Sequence, residues 1–409
     1  MSVDDPQRNT PLLTRVSIRN YKSIARADVQ LGAFTILVGR NGSGKSNFLD
    51  ALHLVSDGLQ ESLSLAIGKR DGFYEIQSRW AREHERISIR LEISFPDQRS
   101  AIYLVEIAGE PFGGVGVHLE RLDTLSASGS RIAHYEVRGG NVVDSSVAHM
   151  PAVLPNRLYL VNASGLIEFH SVYNFLAAMG FYNIVPETIR TPRRPNGGGL
   201  LRGDGSNLAS VIARLRAAQP ETMDRINQYM KVIVPGILEV ESEAIQDFET
   251  LRFTQNMKEL PTQFNAARMS DGTLRILAIL LATAQLSDAR APVSLVGIEE
   301  PEAALHPAAA AALMDALQER ATLTQILVTS HSSDLLDYED LETDSLLAVT
   351  ATEGVTKIAP IDKASRKVIR EHLFTPGELL RRDQLELDRE DLARQTREPL
   401  LVGRGEKAT

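Results

Sequence analysis

Three short, largely apolar runs along the chain have the length and composition of buried β-strands. They are Phe34–Val38, Pro292–Ile298 and Gln325–Thr329, and each is followed at once by glycine or polar residues. Because strands that are buried on both faces are almost uniformly apolar, these runs predict a parallel sheet within an α/β fold. The polar segment after each run would then lie at the carboxyl edge of that sheet, where such folds bind their ligands.

The segments between these runs have other periods. Residues 87–143 alternate apolar and polar positions between Gly- and Pro-containing breaks, which predicts an antiparallel sheet beside the first one. Residues 164–233 follow a helical period, and residues 237–254 return to strand-like alternation. The sequence has no sustained heptad repeat, so it predicts no long coiled coil.

The first apolar run leads into a glycine-rich segment, Gly39-Arg-Asn-Gly-Ser-Gly-Lys-Ser46, with the spacing of a phosphate-binding loop. Glycines let the backbone turn tightly and aim its N–H groups at phosphate oxygens, while the lysine adds positive charge and the serine hydroxyl can bind Mg²⁺. The apolar residues of the next segment, 47–55, are spaced as in a helix, so the phosphates would lie at a helix N-terminus. The segment predicts a nucleoside triphosphate site formed by Asn41, Gly42, Ser43, Gly44, Lys45, Ser46 and Asn47.

The second apolar run ends in two carboxylates, Glu299 and Glu300. At the sheet edge, Glu299 would approach Mg²⁺ directly or through water, and Glu300 would polarise the water that attacks the γ-phosphorus. The alternative is an acidic first turn of the next helix, which the helix dipole alone would favour.

Two further segments could contact the phosphates. The segment Met269–Leu281 begins with helix-capping residues, so Ser270 and the amides around Gly272 could form an anion-binding helix N-terminus; an ordinary capped core helix is the alternative. The third apolar run leads to His331, whose imidazole could touch the γ-phosphate or the attacking water, although a lone histidine is more often structural.

In this order, the motifs resemble the ABC-type ATPase heads of the RecF, SMC and OLD group. The resemblance is carried by the phosphate loop, Ser270–Gly272, Glu299–Pro307, His331 and the opening Val16–Ile24. It is greatest to stand-alone AAA-family ATPases of two-gene anti-phage systems, which have no Toprim nuclease domain. It implies an α/β head with a mixed central sheet, a flanking antiparallel β subdomain and an inserted helical lobe.

The resemblance also implies the cofactors and the assembly. ATP and Mg²⁺ would bind between two heads that meet head to tail, as a homodimer or a higher even oligomer. The partner subunit's Ser270 and Gly272 would close on the γ-phosphate, and hydrolysis would release the dimer.

The sequence departs from the wider ABC pattern at several positions. Asp271 stands where many relatives carry glycine, and Glu299 stands where an aspartate is usual. Gln77 is a candidate for the glutamine that links nucleotide to the helical lobe, but an ordinary surface glutamine is an equal interpretation. Asn20 and Lys22 could contact nucleotide or form a solvated turn.

Length and composition predict a multi-lobed cytoplasmic enzyme. The 409 residues exceed one typical core, there is no cysteine for disulfides or thiolate metal sites, and no apolar run is long enough to cross a bilayer. The N-terminus is too polar for a secretory signal. We divide the chain into the N-terminal part of the head (1–163), a helical lobe with a β return (164–260), the C-terminal part of the head (261–380) and a charged tail (381–409).

Residues 190–202 contain four arginines among Pro and Gly. They could grip nucleic-acid phosphates or an acidic partner, or form a solvated loop. The formal net charge of −9 argues against wholesale wrapping by nucleic acid. The charged tail is expected to be peripheral or an interaction segment.

Two functions from different classes remain open. One is an ATPase subunit that controls a separately encoded effector, expected to be a nuclease, in anti-phage defence; the segment after His331 is too short to hold a Toprim nuclease. The other is a RecF-like clamp that binds DNA with ATP during repair. A third possibility is that ATP only holds an assembly together and is not turned over.

Overall fold

We describe the protein from a computed structural model, in which residues 10–80, 85–110, 114–154, 156–196, 199–285, 293–303, 305–338 and 341–397 are described. These residues form three β-sheets and the helices around them. A search of this part of the chain for a helix long and apolar enough to span a membrane found none.

The predicted parallel sheet is present as the core of a six-stranded mixed sheet. Its strands, in spatial order, are β16 (Val355–Pro360), β15 (Leu346–Thr352), β3 (Phe34–Val38), β14 (Gln325–Ser330), β13 (Leu295–Glu299) and β9 (Met179–Tyr182). All neighbours are parallel except β15 and β16. The three central strands are buried along nearly their whole length, as their apolar composition predicts.

A seven-stranded antiparallel sheet lies beside it, as the alternating pattern predicts. Its spatial order is β2 (Ile24–Gln30), β1 (Leu12–Tyr21), β4 (Ile87–Ser94), β5 (Ser100–Gly109), β6 (Val115–Leu125), β7 (Arg131–Arg138) and β8 (Asn141–Ser145). In β4, the apolar residues at every second position from Ile87 to Ile93 are fully buried. Because strand side chains alternate between faces, this stripe places one face of the sheet on the core.

A third, three-stranded antiparallel sheet consists of β10 (Ile237–Ile245), β11 (Phe248–Met257) and β12 (Leu260–Asn265). The helices are α1 (Lys45–Gln60), α2 (Leu63–Gly68), α3 (Phe73–Ile76), α4 (Tyr159–Ala163), α5 (Ile167–Ala177), α6 (Pro186–Arg190), α7 (Leu208–Ala218), α8 (Pro220–Ile233), α9 (Asp271–Ala284), α10 (Pro307–Ala321), α11 (Ser333–Leu336), α12 (Lys363–Arg370), α13 (Pro376–Arg381) and α14 (Arg389–Arg397).

Two hydrophobic cores share the six-stranded sheet. Leu37 and Leu327 belong to the core that also contains α1 and the antiparallel sheet. Their neighbours Ile36 and Ile326 belong to the other core, which contains α7 to α10. The sheet is therefore covered on both faces, with α1 directly after β3 on one side and the apolar helix α9 on the other.

The charged tail, expected to be peripheral or an interaction segment, is attached to the body of the protein up to residue 397. Gln395 of α14 is only 4% exposed; its Oε1 accepts a hydrogen bond from the Asp28 amide (3.1 Å), and its Nε2 donates to the Ile358 carbonyl (2.9 Å). Asp383 lies 3.3 Å from Nε of Arg40 in the phosphate loop. The buried side-chain amide of Gln395 thus attaches the otherwise charged helix α14 to the two sheets. The periodicity of the sequence does not reveal this contact. Residues 398–409 lie outside the described part.

An ionic cluster ties α1 to the end of β1. Asp50 accepts a hydrogen bond from Tyr21 (2.6 Å) and pairs with Lys22 (2.6 Å) and Arg70 (2.7 Å). Burial alone would raise the pKa of Asp50, but the charge of Arg70 and the hydrogen bonds of Lys22 and Tyr21 outweigh it and lower that pKa. The pKa of Asp50 is therefore lower in the folded protein than in the unfolded chain. Its carboxylate stabilises the fold at pH values above the ordinary aspartate pKa. This stabilisation is lost as the pH falls through the lowered pKa of the folded state.

We expect Asp50→Asn to reduce the free energy of unfolding at pH 7 by about 1–3 kcal/mol, because the buried Arg70 keeps its ion pair with Asp57 but loses the one with Asp50, and Lys22 loses its partner as well. The deficit relative to the parent protein should begin to shrink below about pH 4, where the unfolded parent is protonated, and should shrink further as the pH falls through the lowered pKa of the folded parent. Denaturant unfolding between pH 7 and pH 3 measures both, with the exposed Asp247→Asn as the control. A deficit that stays constant over this range would contradict the ionic role.

Candidate functional site

The phosphate loop, residues 39–46, begins where β3 ends and closes on the start of α1. The Gly39 amide donates to the carbonyl of Ser330 (3.4 Å), the last residue of the neighbouring β14. Gly42 and Gly44 have φ angles of 75° and 101°, which glycine adopts without strain. A Cβ on Gly44 would also lie 2.0 Å from Oγ1 of Thr356, so this position needs glycine for space as well.

Lys45 is folded back over its own loop. Its Nζ donates to the carbonyls of Gly39 (2.7 Å) and Arg40 (3.0 Å), and the residue is 4% exposed. Burial lowers the pKa of Lys45, and the charges of Glu300 and Glu302 oppose that effect. The ammonium group is therefore held where a phosphate could replace the two carbonyls.

Hydrogen bonds from outside hold the loop in shape. Thr356 of β16 donates to the carbonyl of Ser43 (2.8 Å), and its hydroxyl lies 2.7 Å from that of Ser23. The Asn47 side chain donates to the same Ser23 hydroxyl (2.6 Å). Asn47, predicted to bind the cofactor, thus uses its side chain to brace the loop. Its backbone lies in the first turn of α1, where N–H groups lack partners within the helix.

Three strand ends meet at this edge because the strands are parallel and in register. Glu299 lies beside Thr329, and Ser330 lies beside Val38. The structure brings together two of the predicted residues, Glu300 and His331, with Nδ1 of His331 3.1 Å from Oε1 of Glu300. Glu300 has a φ of 44°, a left-handed conformation that is uncommon for non-glycine residues.

Glu299 faces α1, the helix that carries the exposed Ser46. Together with Leu49 and Asp50 it lines a cavity of about 300 Å³. Within the described residues, no group of three His, Asp or Glu side chains forms a ready-made metal cage. Mg²⁺ at phosphate sites usually takes few protein oxygens and completes its shell with water and phosphate, so a hydroxyl and a carboxylate fit this cation.

Glu302 is a residue of this site that the sequence analysis missed. It is 8% exposed; its Oε1 accepts hydrogen bonds from the Ser330 hydroxyl (2.6 Å) and the His331 amide (3.3 Å). Its other oxygen, Oε2, is buried without a hydrogen-bond partner among the described residues. An unpaired buried carboxylate oxygen is costly, which favours a cation or water here. The signal in the sequence that could have identified Glu302 is its position, as a third acidic residue two positions after Glu300.

The signature residues have their hydrogen-bond partners at the start of α9 and not in the phosphate loop. Ser270 caps α9: its Oγ accepts a hydrogen bond from the Thr273 amide (3.2 Å) and lies 2.8 Å from the Thr273 hydroxyl. Gly272 is buried in the first turn, whereas Ser270 and Asp271 are exposed. Among the described residues, no hydrogen bond or ion pair joins these three to the phosphate loop. The structure brings Glu300 and His331 to the loop but not Ser270 and Gly272.

The three residues left open near the opening strand have protein partners. Lys22 pairs with Asp50, and the side-chain amide of Asn20 donates to the Arg86 carbonyl (3.1 Å). The amide of Gln77 donates to the Glu85 carbonyl (2.7 Å). Their side chains therefore tie the ends of β1 and α3 to α1 and to the segment that precedes β4.

Comparison with known proteins identifies the family. The family described as "AAA domain, putative AbiEii toxin, Type IV TA system" matches residues 34–125 and 182–337, more than half of the chain. The chain belongs to this AAA domain family. Its matched residues include the phosphate loop, the signature, the acidic pair and His331.

Two curated relatives of this AAA protein are named DNA replication and repair protein RecF. The one from Pelotomaculum thermopropionicum is 29% identical over 118 residues, which are 28% of this chain and 32% of the relative. The one from Photorhabdus laumondii is 47% identical over 47 residues, or 11% of this chain and 13% of the relative. The alignments thus span at most about a third of the RecF proteins they match.

Solved structures similar to this AAA protein are SMC head domains. The Pyrococcus furiosus head with an extended coiled coil, bound to the C-terminal domain of ScpA, has a TM-score of 0.54 at 14% identity and covers 89% of this chain and 100% of that chain. An SMC head bound to the C-winged helix domain of ScpA has a TM-score of 0.50 at 16% identity, covering 87% and 99%. The predicted fold, an ABC-type P-loop ATPase head with a mixed central sheet and a flanking antiparallel sheet, is confirmed.

We expect Lys45→Ala to weaken binding of a fluorescent ATP analogue at least about tenfold, since 1.4 kcal/mol of lost phosphate contact is enough for this. Fluorescence titration measures the affinity. Lys69→Ala is the matched control, because this lysine pairs with Glu61 at the surface. Equal affinities for the two variants would contradict a phosphate role for Lys45.

We expect Glu302→Gln to leave thermal stability close to that of the parent protein while lowering ATP turnover at least about tenfold, as for groups that orient the ligands of a site. The amide oxygen can still accept from Ser330, but the charge beside Lys45 is lost. A coupled phosphate-release assay and a thermal melt measure the two effects, with the exposed Glu371→Gln as control. Unchanged turnover would show that Glu302 is only structural.

Proposed function

We propose that this protein binds ATP with Mg²⁺ and hydrolyses it between two copies of the chain arranged head to tail. One observation carries the proposal: the phosphate loop, Glu300 and His331 meet at one sheet edge, whereas no hydrogen bond or ion pair among the described residues joins Ser270 or Gly272 to the loop. Each chain thus carries two halves of a site that do not meet within it. A second copy can supply the missing half to each site.

Each residue has a role in this arrangement. The loop amides and Lys45 would hold the phosphates, and Ser46 and Glu299 would hold Mg²⁺. Mg²⁺, when bound, neutralises charge on the β- and γ-phosphates. Glu300 accepts a hydrogen bond from the attacking water and orients it, while His331, in contact with Glu300, can donate to the γ-phosphate. The partner subunit's Ser270 and Gly272 would supply a hydroxyl and a helix N-terminus to the same phosphate.

We further propose that this ATPase controls a separately encoded effector, a nuclease by our expectation, in anti-phage defence. Support comes from the family description, which names a toxin and a toxin-antitoxin system. The SMC heads of similar fold are bound to a separate protein, ScpA. A head that changes its assembly with ATP is suited to switching such a partner.

A RecF-like DNA clamp is the second candidate, favoured by the local similarity to RecF. The net charge of −9 weakens it. One of the four arginines that could grip DNA, Arg190, already pairs with Asp271. The positive charge of the loop 190–202 is thus partly neutralised by the protein itself.

We expect Glu300→Gln to form a dimer in ATP and Mg²⁺ but not without nucleotide, because orientation of the attacking water is impaired while both halves of the site still bind. Light scattering coupled to size exclusion measures the mass. Lys45→Ala in the same background should stay at the nucleotide-free mass. A mass that nucleotide does not change would contradict an ATP-gated dimer.

We expect the same Glu300→Gln dimer to show no ATP-dependent affinity for duplex DNA at low salt. Binding that appears only with ATP and falls steeply with salt would instead support the clamp. Fluorescence anisotropy with a labelled duplex between 50 and 200 mM salt distinguishes the two functions.

A further inference from the structure

Arg190 and Asp271 form an ion pair at the signature. Arg190 is the last residue of α6, and its Nη2 binds Oδ1 of Asp271, the first residue of α9. The same Nη2 donates to the Met269 carbonyl (2.9 Å). One guanidinium therefore contacts the residue before Ser270 and the residue after it.

The contact does not serve mainly to stabilise the fold. The Asp271 side chain is 57% exposed and that of Arg190 is 19% exposed. An ion pair this open to water contributes little to the free energy of unfolding, because both groups are well solvated when apart. The ion pair therefore acts mainly on the residues around it.

The surroundings are the residues that the proposed dimer brings to a phosphate. Asp271 lies between Ser270 and Gly272, at the position where many related signatures have an uncharged glycine. A carboxylate there would repel an approaching γ-phosphate, since like charges brought together at an interface cost several kcal/mol. Arg190, whose other terminal nitrogen pairs with the exposed Glu187, supplies positive charge to the Asp271 carboxylate at contact distance and holds the backbone carbonyl of Met269, directly before Ser270.

We propose that Arg190 is a positioning residue of the signature: it neutralises Asp271 and holds Ser270 so that the α9 N-terminus can meet the γ-phosphate bound to the partner subunit. This inference rests on the proposed head-to-tail dimer. If the inference is correct, the dimer interface tolerates the carboxylate of Asp271 only when Arg190 is present. The two residues, 81 positions apart in sequence, therefore form one functional unit.

The test uses full-length protein in the Glu300→Gln background, with Arg190→Ala, Asp271→Asn, the double variant and Arg194→Ala. Arg194 is an exposed arginine of the same loop and serves as the matched control. ATP-dependent dimerisation is measured by light scattering, monomer affinity by a fluorescent ATP analogue, and stability by thermal unfolding. Turnover is measured with the same substitutions in the parent background.

We expect Arg190→Ala to weaken the ATP-bound dimer and to lower turnover at least about tenfold, because Asp271 is left uncompensated. Affinity of the monomer for the analogue and the melting temperature should stay at parental values, as should all properties of Arg194→Ala. Asp271→Asn should dimerise normally, and in the double variant it should restore at least part of the lost dimerisation.

Three results would overturn the inference. Parental dimerisation by Arg190→Ala would show that the pair is dispensable. A double variant as defective as Arg190→Ala would show that charge at Asp271 is not the cause and that Arg190 acts only through the Met269 carbonyl. If Glu300→Gln itself fails to dimerise with ATP, the proposed function fails, and the inference fails with it for that separate reason.

Discussion

The site depends on the parallel register of β3, β14 and β13. These strands end together at one edge of the sheet, with Val38 beside Ser330 and Glu299 beside Thr329, and the segments that follow carry the phosphate loop, Glu300 and His331. A slip of one residue would turn every side chain to the opposite face. Because successive residues such as Ile36 and Leu37 belong to two different cores, both faces resist such a slip. The hydrophobic packing of the sheet therefore sets the position of Glu300 relative to the phosphate loop.

Preorganisation of the loop follows from the same sheet. The edge strand β16 supplies Thr356, which binds the Ser43 carbonyl and fills the space that a side chain at Gly44 would need. Lys45 satisfies its buried ammonium group with loop carbonyls. When phosphate oxygens replace these carbonyls, Lys45 exchanges neutral acceptors for charged ones, which form stronger hydrogen bonds. Because the loop already has its shape, phosphate binding does not have to order it first.

The features that the sequence predicts correctly are those encoded locally. The apolar runs of β3, β13 and β14, the glycines of the loop and the alternation of β4 each determine their element within a few residues. Strand β9 is four residues long and lies within a segment of helical period, so only its pairing with β13 makes it a strand. The function of Glu302 depends on hydrogen bonds to residues 28 positions or more away, which no local pattern reports.

In the sequence, Asp271 differs from many related signatures only in standing where they carry glycine, because its partner is distant along the chain. Its partner, Arg190, lies in the segment 164–260, within a stretch that composition marks as a solvated basic loop. The contact forms because α6 packs against the start of α9 in the second core, so the inserted lobe supplies a side chain to the signature. A lobe that holds the signature in this way can transmit a change at its own surface to the ATP site, because moving α6 would release Asp271. In the proposed function, a partner protein that contacts the lobe would thus act on the signature at a distance from the phosphates.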